Sequence, residues 1–238
     1  MEYSSQYGQD RFIDETVFKR KTHGTFVEIG AYDGVSFSNT YALECFRNWS
    51  GICVEPIPER FKMLAANRTA KCYQACVSDK PGNVEFTVLE GDNDREMFSG
   101  MKESFTARNE KMIEDPHLAI RTITVPAVTF DSLMADRGFQ QVDYISIDTE
   151  GHEFAILKTI DFPRFRPGCL TVEENGRFFA IKRYMAKWGY RVVEKLGADL
   201  VIVSEPIAAE MRGIGLLNPF NRYKRYAIAA LHRIGVKV

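Results

Sequence analysis

The chain has 238 residues, 45% of them apolar, which is enough to bury a sizeable core as a single domain. No run of about eighteen apolar residues occurs, so no membrane-spanning helix is expected, and Met1 to Gln6 lack the basic and apolar regions of a secretory signal, which predicts a cytoplasmic protein. The formal charge of −1 conceals a basic tail, because residues 211–238 carry Arg212, Arg222, Lys224, Arg225, Arg233 and Lys237 with no acid, a distribution that gives little support for a phosphate-binding track.

In chain order, a polar stretch from Ser4 to Asp10 leads into a short amphipathic segment, Arg11 to Lys19. Thr25 to Ile29 (TFVEI) reads as a buried strand that runs into a turn bounded by Gly30 and Gly34, where the backbone can bend tightly and approach a ligand. Ser38 to Cys45 reads as a helix and Gly51 to Val54 as a second strand. That strand ends in Glu55 and Pro56, at the distance from the turn expected of a ribose-binding carboxylate. A helix from Pro58 to Ala66 has proline near its start, and Ala70 to Val77 reads as one third strand ending in Ser78 and Asp79. Two strands, a glycine turn and a spaced acid imply an adenosine-bearing cofactor. The spacing Glu28, Gly30, Gly34 is the E-x-G-x-x-x-G form of an S-adenosylmethionine site, not the G-x-G-x-x-G of a dinucleotide fold.

Val84 to Leu89 and Ile120 to Val128 are expected as further strands. The polar segment between them, Gly91 to Ala119, shows little apolar periodicity and reads as a lid or acceptor-binding insertion. Val142 to Ile147 is a buried strand ending at Asp148, followed by Thr149 to Glu153 and a helix from Phe154 to Thr159. Cys169 to Val172 is the next strand, with Glu173, Glu174 and Asn175 at its end, then a helix from Phe178 to Lys187 and a strand pair, Tyr190 to Leu196 and Leu200 to Val203. The alternation gives an α/β class, and every polar cluster falls at the carboxyl end of a strand, where open α/β sheets bind ligands. Cys45, Cys53, Cys72, Cys76 and Cys169 are odd in number and include no C-x-x-C pair, so they read as buried free thiols without assigned chemistry. Tyr223, Tyr226, Ala227, Ala230, Leu231 and Ile234 share one helical face of the tail. That face suits packing on its own domain or a sister subunit, or contact with an anionic membrane surface.

Taken together, Ser5 to Asp10 (SQYGQD), Phe26 to Gly34 (FVEIGAYDG), Ser38 to Thr40 (SNT), Val54 to Pro56 (VEP), Val77 to Asp79 (VSD) and Ile147 to Glu153 (IDTEGHE) resemble the FkbM-type methyltransferases. The resemblance runs from residue 4 to about residue 205, leaves the tail outside, and departs at Tyr32, where that family carries a small polar residue. It implies a class I, Rossmann-like methyltransferase fold: a mostly parallel seven-stranded sheet with helices on both faces and a terminal antiparallel strand. It also implies S-adenosyl-L-methionine as cofactor and a hydroxyl of a sugar, glycan or natural product as acceptor. By the same resemblance Glu28, Gly30 and Asp33 surround the methionine part of the cofactor, with Ala31 and Gly34 in the same turn and Asn39 helping to hold it. Glu55, beside Pro56, would accept from the ribose hydroxyls, Cys76 and Ser78 would border the adenine, and Gln6 would belong to a covering segment.

Transfer to a hydroxyl needs alignment and removal of a proton, by a general base or with a metal. Asp148 is delivered to the site by its strand, and His152, one helical turn on, is the expected base with Glu150 as the runner-up. Asp148, Glu174 and Asn175 also resemble the Asp…Asp-Asn arrangement of catechol-type O-methyltransferases, which would hold Mg2+. A nicotinamide-dependent sugar oxidoreductase would share the sheet, but the glycine spacing is wrong for it and no Tyr-x-x-x-Lys pair occurs. A nucleic-acid base methylase is disfavoured because Thr149 and Glu150 follow Asp148 where two prolines and an aromatic would stand. A non-catalytic binding module would not be expected to keep Asp148, Glu150, His152, Glu174 and Asn175 together.

Overall fold

A computed structural model describes residues 2–90, 99–104 and 118–213. The basic tail from residue 214 onward and most of the expected insertion, residues 91–98 and 105–117, lie outside the described residues. Among the described residues no helix is long and apolar enough to cross a membrane.

The main sheet is built from β1 (Thr25–Ile29), β2 (Ser50–Val54), β3 (Lys71–Tyr73), β8 (Tyr144–Ile147), β9 (Cys169–Glu173), β10 (Tyr190–Leu196) and β11 (Asp199–Ser204). Its order is β10-β11-β9-β8-β1-β2-β3. The ladders from β9 through β8, β1 and β2 to β3 are parallel, and β11 runs antiparallel between β9 and β10. This is the class I methyltransferase arrangement with its late antiparallel strand.

Burial on both faces explains why the central strands are almost wholly apolar. Val27, Ile29, Ile145, Ile147 and Leu170 point to one face. There they meet α4 (Phe130–Arg137), α5 (Glu153–Thr159), α6 (Phe162–Phe165) and α7 (Phe178–Ala186) through Phe130, Leu157, Phe165 and Ile181. The alternate residues Phe26, Cys53, Tyr144, Cys169 and Val201 point to the other face. This face is covered by α1 (Gln9–Phe12) with its π-helical continuation Ile13–Val17, α2 (Tyr41–Arg47), α3 (Pro58–Asn67) and α8 (Glu205–Gly213).

The expected third strand is two strands. Val54 pairs with Tyr73 and the Glu55 amide still donates to the Tyr73 carbonyl at 3.0 Å, but Pro56 has no amide hydrogen to extend the ladder. The chain therefore leaves the main sheet, and β4 (Cys76–Val77) pairs with β7 (Ala119–Val128) in a second sheet. That sheet has the order β4-β7-β5-β6, with β5 (Gly82–Glu90) antiparallel to β7 along its whole length. β6 (Gly100–Met101) and the 3-10 turn Lys102–Ser104 lie inside the stretch read from sequence as a lid or acceptor-binding insertion. Phe86, Val88, Met101 and Val125 form a small core of this sheet with Ile57 and Cys76.

The site is fixed by topology. Strand order reverses between β1 and β8, so the connections leave these neighbours in opposite directions and open a crevice at their carboxyl ends. Gly30 and Asp148 are the residues that follow those two strands.

Candidate active site

The Gly30 turn is a rigid cradle. The amides of Gly30 and Ala31 both donate to the Val54 carbonyl at 3.0 Å, and Gly30 adopts φ 84°, a conformation that favours glycine. A Cβ at this position would overlap the carbonyl oxygen of Asp148, so the two strand ends approach as closely as backbone allows. Tyr32, also left-handed at φ 50°, donates its amide to Glu55 at 2.9 Å and carries the Arg60 guanidinium 4.4 Å above its ring. Glu55 accepts in addition from the Ile57 amide at 2.9 Å, which holds its carboxylate at the end of β2.

Beside this turn opens a concave cleft in which apolar walls meet a few convergent polar groups, as small-molecule sites do. Of the residues singled out in the sequence, Gly30, Glu55, Pro56, Cys76, Asp148, Glu150 and His152 line it. The second sheet supplies the opposite wall through Phe86, Ser99 and Met101, which, with Ile57 and Ala75, make an apolar slot.

The remaining candidates support the cradle and do not line the cleft. Glu28 is buried and accepts from Ser38 and Thr40 hydroxyls, the Asn39 amide at 2.8 Å and Arg68 at 3.1 Å. Asp33 caps the turn by accepting from the Val35 and Ser36 amides at 2.9 and 2.7 Å. The Gly34 carbonyl receives Arg68 at 3.1 Å, and Ala31 is buried in the core behind the turn. The Ser78 amide donates to the Val128 carbonyl at the end of β4. Gln6 is exposed, between Ser5, which bridges to Phe37, and Tyr7, whose ring lies against Gly197. The segment thus crosses the carboxyl edge of the sheet. Asn39 donates to the Ser146 hydroxyl at 3.0 Å, while its buried Oδ1 has no hydrogen-bond partner among the described residues.

A buried acceptor without a partner, a cradle open only to glycine, an acid at the β2 end and an apolar slot together fit an adenosine-bearing cofactor with an ammonium group.

Below the cradle the carboxylates of Asp148, Glu150 and Glu173 lie within 4.8 Å of one another. Asp199 stands opposite Glu173 across the β9–β11 ladder and accepts from Gln9 Nε2 at 2.7 Å. Asp148 opens into the cleft, yet surrounding protein and then Glu173, Asp199 and Glu150 push its pKa well above the usual carboxylate range. Burial, followed by the charge of Glu153, raises Glu173 to about 7 against the hydrogen bond from Asn175, and burial raises Asp199 to about 6 against the hydrogen bond from Gln9. With their carboxylates this close, Asp148 and Glu173 titrate as a pair.

Of the expected metal set, Asp148 alone belongs to this carboxylate group. Glu174 turns away, forming an ion pair with Lys195 at 2.7 Å and accepting from the Phe178 amide at 3.0 Å. Alternation at the end of β9 sends Glu173 inward in its place, and Asn175 donates to Glu173 at 2.7 Å without joining the carboxylate group. His152 does share the cleft with Asp148. Its Nδ1 is 2.7 Å from the Ser104 hydroxyl, its buried Nε2 has no partner among the described residues, and burial lowers its pKa, so the ring is neutral at pH 7. Glu173, Asp199 and Ser104 were missed as site residues. Their only signals were the strand-end acids and a serine in a segment without periodicity.

The model of the "Methyltransferase FkbM domain" matches residues 28–192. No curated protein matches the chain. Among solved structures, methyltransferase FkbM from Methylobacillus flagellatus KT is similar over 76% of this chain and 43% of its own, at 11% identity and a TM-score of 0.49. The chain thus spans less than half the length of that protein. The methyltransferase domain of N-terminally truncated METTL16 aligns over 82% of this chain and 80% of its own, at 11% identity and a TM-score of 0.40. The human methyltransferase 10 domain containing protein aligns over 86% and 85%, at 8% identity and a TM-score of 0.40. With the family model matching most of its length, the chain belongs to the FkbM methyltransferase family.

Proposed function

We propose that this chain is an S-adenosylmethionine-dependent O-methyltransferase acting on a hydroxyl of a sugar, glycan or related natural product. The observation that carries the reading is the meeting, in one cleft, of the Gly30 cradle and Glu55 with Asp148, whose carboxylate lies beside that of buried Glu173.

When bound, S-adenosylmethionine supplies a methyl group on a sulfonium that an oxygen nucleophile displaces in line. The protein's part is to bind, align and take a proton. Glu55, held at the end of β2, would accept from the ribose hydroxyls. The acceptor hydroxyl gives up its proton to the Asp148–Glu173 pair, whose Glu173 pKa of about 7 suits a base working near neutrality. Neutral His152, held through Nδ1 by Ser104, orients the acceptor from the same β8 connection that carries Asp148.

A second reading assigns Asp148, Glu150 and Glu173 to a divalent cation, since three hard oxygen donors lie close enough to share one. Mg2+ bound there would lower the hydroxyl pKa in place of the carboxyl base.

Calorimetric titration with S-adenosylhomocysteine, with and without magnesium, followed by transfer of labelled methyl to a panel of glycans, tests the proposal. Micromolar binding and labelled product are expected, and no binding by folded protein would overturn it. Asp148→Asn is expected to retain cofactor binding and lose at least about a hundredfold in transfer. Undiminished turnover would remove the carboxyl pair from the mechanism.

A further inference from the structure

Outside the cleft, two cysteines are placed against each other. Cys53 in β2 and Cys72 in β3 are register partners on neighbouring parallel strands, so their side chains leave the sheet on the same face as neighbours. Neighbouring strands lie about 4.8 Å apart, inside the Cα separation of about 4.4–6.8 Å that a disulfide spans.

The two thiols have complementary surroundings. Cys53 is fully buried and its pKa is pushed well up by burial, so it stays protonated. Cys72 is half-buried on β3, the edge strand of the sheet, and its thiol donates to the Ala70 carbonyl at 3.3 Å. The Cys53 thiol, followed by the Arg68 guanidinium, draws the Cys72 pKa down. Arg68, held by Glu28 and Glu44 at 3.1 and 2.6 Å, supplies that positive charge. A half-buried cysteine on an edge strand with a protonated, buried thiol on the neighbouring strand is the arrangement of a peroxide-reactive cysteine and its resolving partner.

We propose that Cys72 and Cys53 form a modification site that reacts with hydroperoxides and closes to a disulfide. The Cys72 thiolate attacks the terminal peroxide oxygen, the O–O bond breaks, and hydroxide or alkoxide leaves, giving Cys72 sulfenic acid. The Cys53 thiol then attacks that sulfur and water departs, leaving one S–S bond and two electrons transferred to the peroxide. A dithiol such as dithiothreitol reverses the bond by exchange.

The test uses the full chain and hydrogen peroxide, with peptide mapping by mass spectrometry under non-reducing conditions. Expected are a linked pair of peptides containing Cys53 and Cys72, lighter by two hydrogens and restored by dithiothreitol, and retention of the link in Cys76→Ser. Cys53→Ser is expected to leave Cys72 as a sulfenic acid trapped by dimedone. Exposed Cys45 serves as the internal reference for simple accessibility. Oxidation of Cys45 ahead of Cys72, or Cys72 oxidised without any link to Cys53 in the wild-type chain, would overturn the proposal. The wild-type map decides the matter even where a variant fails to fold.

Discussion

Glu173 sits where a charge is costly, and its elevated pKa makes both activity and stability depend on pH. Because the folded-state pKa of about 7 stands above the ordinary 4.5, the native chain holds this proton more tightly than the unfolded chain does. The stabilisation is fully present below pH 4.5 and is lost as pH rises through about 7. Glu173→Gln cannot ionise, so it is expected to melt several degrees above wild type near pH 8 and to converge with it near pH 4, about 1 kcal/mol being worth roughly 2–4 °C at this size. In a transfer assay the wild-type rate is expected to rise with pH through about 7 as the base ionises, and that limb should vanish in Glu173→Gln. Coincident melting curves of the two proteins near pH 8 would show that the carboxyl is not under strain.

At the scale of elements, the cradle depends on Arg68, the last contact of the α3 segment. Its guanidinium is wholly buried and joins Glu28 in β1, Glu44 in α2, the Gly34 carbonyl and Thr40. Arg68→Leu would leave two buried carboxylates without their cation, and a loss of about 3–5 kcal/mol in chemical denaturation is expected. A loss below about 1 kcal/mol, the size of a surface pair, would mean that the network relaxes.

The local motifs were readable because their parts are contiguous: strand, Gly30 turn and Glu55 follow from apolar runs and spacing alone. The end of β3 was not readable, because residues 70–77 show one apolar pattern and only pairing separates Tyr73 in one sheet from Cys76 in another. Glu173 and Glu174 could not be told apart for a similar reason. Which of two adjacent acids faces inward depends on where the pleat ends, and a shift of one residue reverses the choice.

Over the whole molecule, the carboxyl cluster is assembled from β8, β9, β11 and the N-terminal segment. Gln9 and Asp199 join across the carboxyl edge, and no local pattern announces such a pair. Gln9→Ala would leave buried Asp199 without its donor, and a loss of about 1–3 kcal/mol is expected in urea unfolding. The Asp199 pKa should also rise further, since that hydrogen bond lowers it. An unchanged unfolding midpoint would show that water replaces the amide.

The Gln9–Asp199 bond spans 190 positions in the chain. During synthesis Gln9 leaves the ribosome long before its partner is made, and the first strands and their glycine turn can assemble while β11 is still untranslated. The Gln9 amide therefore waits for this partner until β11 is made, and the N-terminal segment can lock across the carboxyl edge only after the strands it crosses have been synthesised.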